Sequence, residues 1–72
     1  MLSIIHLEKI SDNIYEVTSE DTIRRLYDSE GFIVALESKC GGEKIELGHN
    51  FGENKLLRDI YEENNKLLVV IS

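Results

Sequence analysis

The sequence predicts an α+β domain of order ββαββαβ, with a single mixed or antiparallel five-stranded sheet and two helices packed on one face. Three observations predict it. A hexamer nearly recurs: Ile23-Arg24-Arg25-Leu26-Tyr27-Asp28 returns 34 residues later as Leu57-Arg58-Asp59-Ile60-Tyr61-Glu62. Each copy leads through polar residues into an apolar run, Phe32–Leu36 and Leu67–Ile71. A hydroxyl or amide residue stands three positions before an acid at Thr18/Asp21 and Asn50/Glu53, the spacing of a helix capping box.

Residues 2–10 read as a first strand, because Ile4, Ile5, Leu7 and Ile10 are β-compatible and polar residues interleave them. A helix is the competing reading; the stretch lacks a capping signal and is rich in β-branched residues. Ser11-Asp12-Asn13 supplies turn chemistry, and 14–18 returns as a second strand of a hairpin. Thr18-Ser19-Glu20-Asp21 opens the first helix, and its acids complement the helix dipole. Ile23, Leu26 and Tyr27 fall at i, i+3, i+4 and form its apolar stripe. Arg24 and Asp28 are spaced to pair on its outer face, and Gly31 ends it in a left-handed conformation.

Phe32–Leu36 is apolar throughout and reads as a central strand buried on both faces. Lys39-Cys40-Gly41-Gly42 turns the chain into Lys44-Ile45-Glu46-Leu47, whose alternation marks an edge strand. Leu56, Leu57, Ile60 and Tyr61 make the stripe of a second helix that Asn64-Asn65 stops, and 67–71 closes the sheet. The repeat then places Tyr27 and Tyr61 at equivalent buried positions on equivalent helices. Two helices cover only one sheet face. The other needs a second copy of the chain, a curled sheet or a partner, and a charge at Val69 is expected to break a homodimer built there.

Seventy-two residues make residues 1–72 one domain. Such a chain buries about 60% of its unfolded surface, so its stability is thin. Cys40 is the only cysteine, which excludes an internal disulfide, and with His6 and His49 it leaves too few ligands for a four-coordinate zinc site. No metal or cofactor is expected. The N-terminal ten residues do not form a signal peptide and no apolar stretch approaches a membrane span, so the expected location is cytoplasmic. Proline is absent while Ile, Glu, Lys and Asn abound, a composition that resembles AT-rich coding bias in bacteria and phages.

Fourteen acidic residues oppose eight basic ones, for a net charge of −6. That balance disfavours nucleic acid and anionic membrane as direct partners. No serine lies in an elbow motif, Cys40 beside two glycines reads as a turn residue rather than a nucleophile, and no glycine pair matches a phosphate loop. Gly48-His49-Asn50-Phe51-Gly52 is the best local binding element, with His49 and Phe51 as loop contacts; as plain structure, Phe51 would staple and Asn50 cap the following helix.

The expected function is therefore non-enzymatic: a small acidic regulator or inhibitor, of a phage type, that binds a protein. The expected partner carries a basic nucleic-acid-handling surface, such as a nuclease or polymerase. The expected contacts are Glu20, Asp21, Asp28 and Glu30 on one helix and Asp59, Glu62 and Glu63 on the other. The alternative is a homo-oligomeric assembly subunit, a homodimer joined through the uncovered sheet face. An enzyme or nucleotide-binding fragment is the third, least supported reading.

Overall fold

A computed structural model describes residues 5–40 and 42–72, and among them every regular element but one short turn is a strand. The strands are β1 (Leu7–Ser11), β2 (Ile14–Val17), β3 (Ile23–Tyr27), β4 (Ile33–Ser38), β5 (Lys44–Glu46), β6 (Leu57–Glu63) and β7 (Lys66–Ile71). They form two antiparallel sheets, β1-β2-β7-β6 and β3-β4-β5. The sheets face each other over one core of Val17, Ile23, Ile33, Leu36, Ile45, Leu57, Ile60, Leu67, Val69 and Ile71. The expected ββαββαβ fold is thus overturned: the protein is all-β, with two sheets where one was expected and no α-helix among the described residues. Leu2, Ile4 and Gly41, assigned above to the first strand and the second hairpin turn, lie outside the described residues.

Both expected helices are strands, and in β6 a bulge accounts for the helical pattern. Leu57 pairs with Ile71 and Asp59 with Val70, so Arg58 is an extra residue on β6. An extra residue reverses the in/out alternation of everything beyond it. Leu57 and Ile60 therefore both point into the core at a helical i, i+3 spacing. Val34 does the same on β4, aligning Ile33 with Leu36, and Ile10 is the extra residue on β1. In β3 the alternation stays regular: Ile23 faces in, while Leu26 lies opposite Ala35 on the outer face. The two hexamers consequently sit in different sheets with different phase. Tyr27 is 54% exposed and Tyr61 half-buried, so neither occupies the buried helical position expected of it.

Capping chemistry also serves turns, because both exploit short side chains that hydrogen-bond nearby backbone. Thr18–Asp21 yields one 3-10 turn, Glu20–Thr22, in which Ser19 makes no side-chain cap; its Oγ accepts the His6 amide instead, at 3.3 Å. Asp28 Oδ1 accepts the amides of Glu30 (2.8 Å) and Phe32 (3.0 Å), while the Gly31 amide bonds the Asp28 carbonyl. Gly31 is left-handed as expected of a cap, but in a β-turn. Arg24 pairs across the strands with Glu37 at 3.3 Å rather than along a helix with Asp28. Asn64 and Asn65, at φ 53° and 64°, are the two left-handed residues of a two-residue hairpin between Glu63 and Lys66.

Backbone hydrogen bonds join the sheets along one side. After β5 the chain forms a small hairpin whose Gly48 amide bonds the Leu57 carbonyl (2.7 Å) and whose His49 carbonyl accepts the Leu57 amide (2.8 Å). Glu53 and Asn54 turn it in left-handed conformations. Leu56 meanwhile exchanges hydrogen bonds with Ser72, extending β6–β7. Among the described residues no ladder joins β1 to β3, and the contact between the sheets near β1 is a side-chain one, the Ile5 amide donating to Glu43 Oε1 at 2.7 Å.

Val69, expected on an uncovered face, is wholly buried in the core, whereas Leu68 and Val70 lie on the opposite face of the sheet, Leu68 only 4% exposed and Val70 half-buried. Val69→Asp should abolish cooperative thermal unfolding, since an unpaired carboxylate there costs more than a domain this small has in reserve. Val70→Asp should unfold cooperatively, within about 1 kcal/mol of the parent. Asn65→Gly should match or exceed the parent in urea titration, and Asn65→Ala should fall below it by about 1 kcal/mol, the penalty for Cβ in the left-handed region.

Candidate functional site

The seven carboxylates expected to form two contact sets are redistributed by the strands. Glu20 and Asp21 precede β3, whereas Asp28 and Glu30 follow it, so a five-residue strand separates the pairs by about 16 Å. Asp28 is committed to its turn. Glu62 lies opposite Leu67 and faces inward, away from Asp59 and Glu63.

Glu20 and Glu62 are instead drawn together by Arg25. Arg25 lies opposite Leu36 on the inner face of the three-stranded sheet. Its Nη2 donates to Glu20 Oε1 at 3.3 Å, and its Nε lies 3.2 Å from Glu62 Oε2. The Nε–H is not aimed well enough for a hydrogen bond, so the second contact is charge attraction alone. The guanidinium thus ties the two sheets where the core opens to solvent. These two acids serve the fold, which removes them from the set free to meet a partner.

Asp59 and Glu63 are exposed, and the register places both on the outer face of the four-stranded sheet. One cross-strand row there runs Glu8, Glu16, Leu68, Tyr61; the next runs Ser11, Ile14, Val70, Asp59. Glu63 and Lys66 flank them. The face is therefore an apolar strip of Ile14, Leu68, Val70 and Tyr61 bordered by four carboxylates. Glu8 and Glu16 stand directly opposite each other, an arrangement that opposes folding. Lys66 Nζ, 4.0 Å from Glu16, relieves it only in part. Glu8, Glu16, Ile14 and Val70 were not among the expected contacts. Their strands were recognisable, but which residues shared a face depended on the pairing of β2 with β7.

His49 and Phe51 do project from a loop, in edge-to-face contact with ring centroids 4.6 Å apart. Asn50 Oδ1 accepts the Gly52 amide at 2.7 Å and so shapes the hairpin rather than capping a helix. Cys40 is exposed in the β4–β5 turn, where its amide donates to Ser38 Oγ. Among the described residues no three His, Cys, Asp or Glu side chains gather as a metal site would require.

A double-mutant cycle checks the inter-sheet tie. Arg25→Met should destabilise the protein in urea titration, because it leaves Glu62 facing inward with no cation. Glu62→Gln should recover part of that loss in the double variant, with a coupling of about 0.5–1 kcal/mol given the partial exposure of both groups.

Comparison of the chain with protein-family models, curated proteins and solved structures finds no match, so the residues alone carry the functional argument.

Proposed function

We propose that this protein is a non-enzymatic, protein-binding regulator that docks through the outer face of its four-stranded sheet onto a basic surface of its partner. One observation carries the reading: the half-buried apolar strip of Ile14, Val70 and Tyr61, with Leu68 buried among them, is edged by Glu8, Glu16, Asp59 and Glu63. Interfaces work by such a division. Desolvated apolar and aromatic groups at the centre slow dissociation, while charges at the rim speed encounter and select the partner. Tyr61 is the natural anchor, a large side chain of low conformational freedom on the outer strand β6, between Asp59 and Glu63. Surfaces that bind nucleic acid are cationic, so a nuclease or polymerase is the partner class whose surface best complements this one. The acidic face would occupy that surface in place of a phosphate backbone, in a reducing cytoplasm.

The same charges weigh against a homodimer built on this face. A two-fold axis through it would oppose like carboxylates across the interface. The sheet curls over a second sheet and already buries its inner side, which removes the reason for a second copy.

The reading is tested by immobilising the protein and measuring its capture of purified nucleases and polymerases. Reversing Glu8, Glu16 and Asp59 to Lys should lower the association rate for a captured partner by about tenfold or more and flatten its salt dependence. Tyr61→Ala should chiefly raise the dissociation rate. A partner whose binding ignores both changes but responds to Glu30→Lys on the distant β3–β4 turn would refute the assignment.

A further inference from the structure

The two sheets are unequal, four strands against three, and β1 is an outer strand of the larger one. A cleft of about 530 Å³ lies beside it, lined by Leu7, Lys9 and Tyr15 from β1–β2, Ile71 from β7, and Phe51 and Lys55 from the 48–57 hairpin. Its size falls in the range of small-molecule sites, roughly 300–1,000 Å³. The floor is apolar: Leu7, Tyr15 and Ile71 all belong to or pack against the core. Phe51 forms a wall, held in place by its edge-to-face contact with His49. The site lies on the other side of the sheet from the docking face proposed above and does not rest on that reading.

The cations are what require explanation. Lys9 lies opposite Tyr15 on the inward side of β1. A lysine pointing inward on an edge strand is a known device against sheet-to-sheet aggregation, and that would account for Lys9 alone. It does not account for Lys55, which comes from a different hairpin to the same cleft, nor for the phenyl ring beside it. The chain carries fourteen carboxylates. Yet among the described residues every side-chain ion pair involves Arg24, Arg25 or Lys66, and neither Lys9 nor Lys55 has an acidic partner within 4 Å. Two ammonium groups against one carboxylate on one cleft, in a protein of net charge −6, reverse the local balance of charge. Glu53 is the one acid in the lining, and the Asn13 carboxamide adds a neutral donor.

The geometry points to a binding site for a small aromatic carboxylate. The apolar body would lie on Tyr15 and Ile71 against Phe51, and the carboxylate would meet Lys9 and Lys55. Each half of the ligand answers a feature that the other half leaves unexplained: the apolar floor gives an inorganic anion no reason to stay, and the lysines give a neutral hydrocarbon none.

The test is an amide-resolved NMR titration of the full chain with 1-naphthoate, with 1-naphthalenemethanol as the neutral isostere. Saturable shifts are expected at Lys9, Asn13, Tyr15, Gly52 and Lys55, with the alcohol at least about tenfold weaker. Lys9→Met and Lys55→Met should each weaken naphthoate by about two- to fivefold, the worth of one solvent-exposed charged contact. Lys44→Met, on the opposite sheet, should leave affinity unchanged. All three lysines are exposed, and the dispersion of each spectrum shows directly whether the variant is folded. Absence of saturable shifts at these amides, equal binding of the alcohol, or an equal loss in the Lys44 variant would overturn the proposal. Inorganic phosphate binding the same residues as tightly as naphthoate would overturn its aromatic half.

Discussion

Strand β7 occupies the middle of the four-stranded sheet, between β2 and β6, and its alternate residues do two different jobs. Leu67, Val69 and Ile71 fill the core that the three-stranded sheet closes over. Leu68 and Val70 point the other way, Leu68 buried and Val70 half-buried in the middle of the outer face. The fold and the proposed docking surface therefore depend on one register. A slip of a single residue along β7 would exchange the two sets and lose both at once.

Local signals were legible in the sequence and non-local ones were not. The apolar runs at 32–36 and 67–71 declare strands, and Ser11-Asp12-Asn13 declares a turn, because each pattern needs only its neighbours. The expected helix at 53–63 failed because Leu57, Ile60 and Tyr61 carry helical spacing, and that spacing alone does not distinguish a helix from a strand with an extra residue at Arg58. Asn64-Asn65 is the clue that favours the strand: two adjacent residues tolerant of left-handed geometry form a hairpin turn more readily than they end a helix. Asp59 and Glu63 were expected among the exposed acids, and they do stand on the outer face. Glu8 and Glu16 were not expected beside them, because that adjacency exists only once β1, β2 and β7 have paired. Phe51 is recognisable as a loop residue, but its cleft is assembled from four segments scattered along the chain.

Charge is arranged unevenly over this scaffold. Arg25 is spent on the inter-sheet tie and Arg24 on a cross-strand pair, which leaves the outer face of the larger sheet acidic, with Lys66 as its one cation in register. The cleft on the inner side holds the opposite sign. A protein with so small a core has little stability to spare for unfavourable charge placement. The facing glutamates of β1 and β2 are such a placement, and the proposed docking onto a basic surface would relieve it.

The pairing of β2 with β7 has a consequence for how the molecule comes into being. Ile14 lies beside Val70, so the larger sheet joins the two ends of the chain. The three-stranded meander and the β6–β7 hairpin can form from local contacts, but the β1–β2 hairpin has nothing to lie against until almost the entire polypeptide is available. Assembly must wait for this closure, and non-local strand pairing of that kind places folding on the millisecond-to-second scale despite the short chain. Until that closure the apolar residues of β7 stay open to chaperones and to neighbouring chains alike.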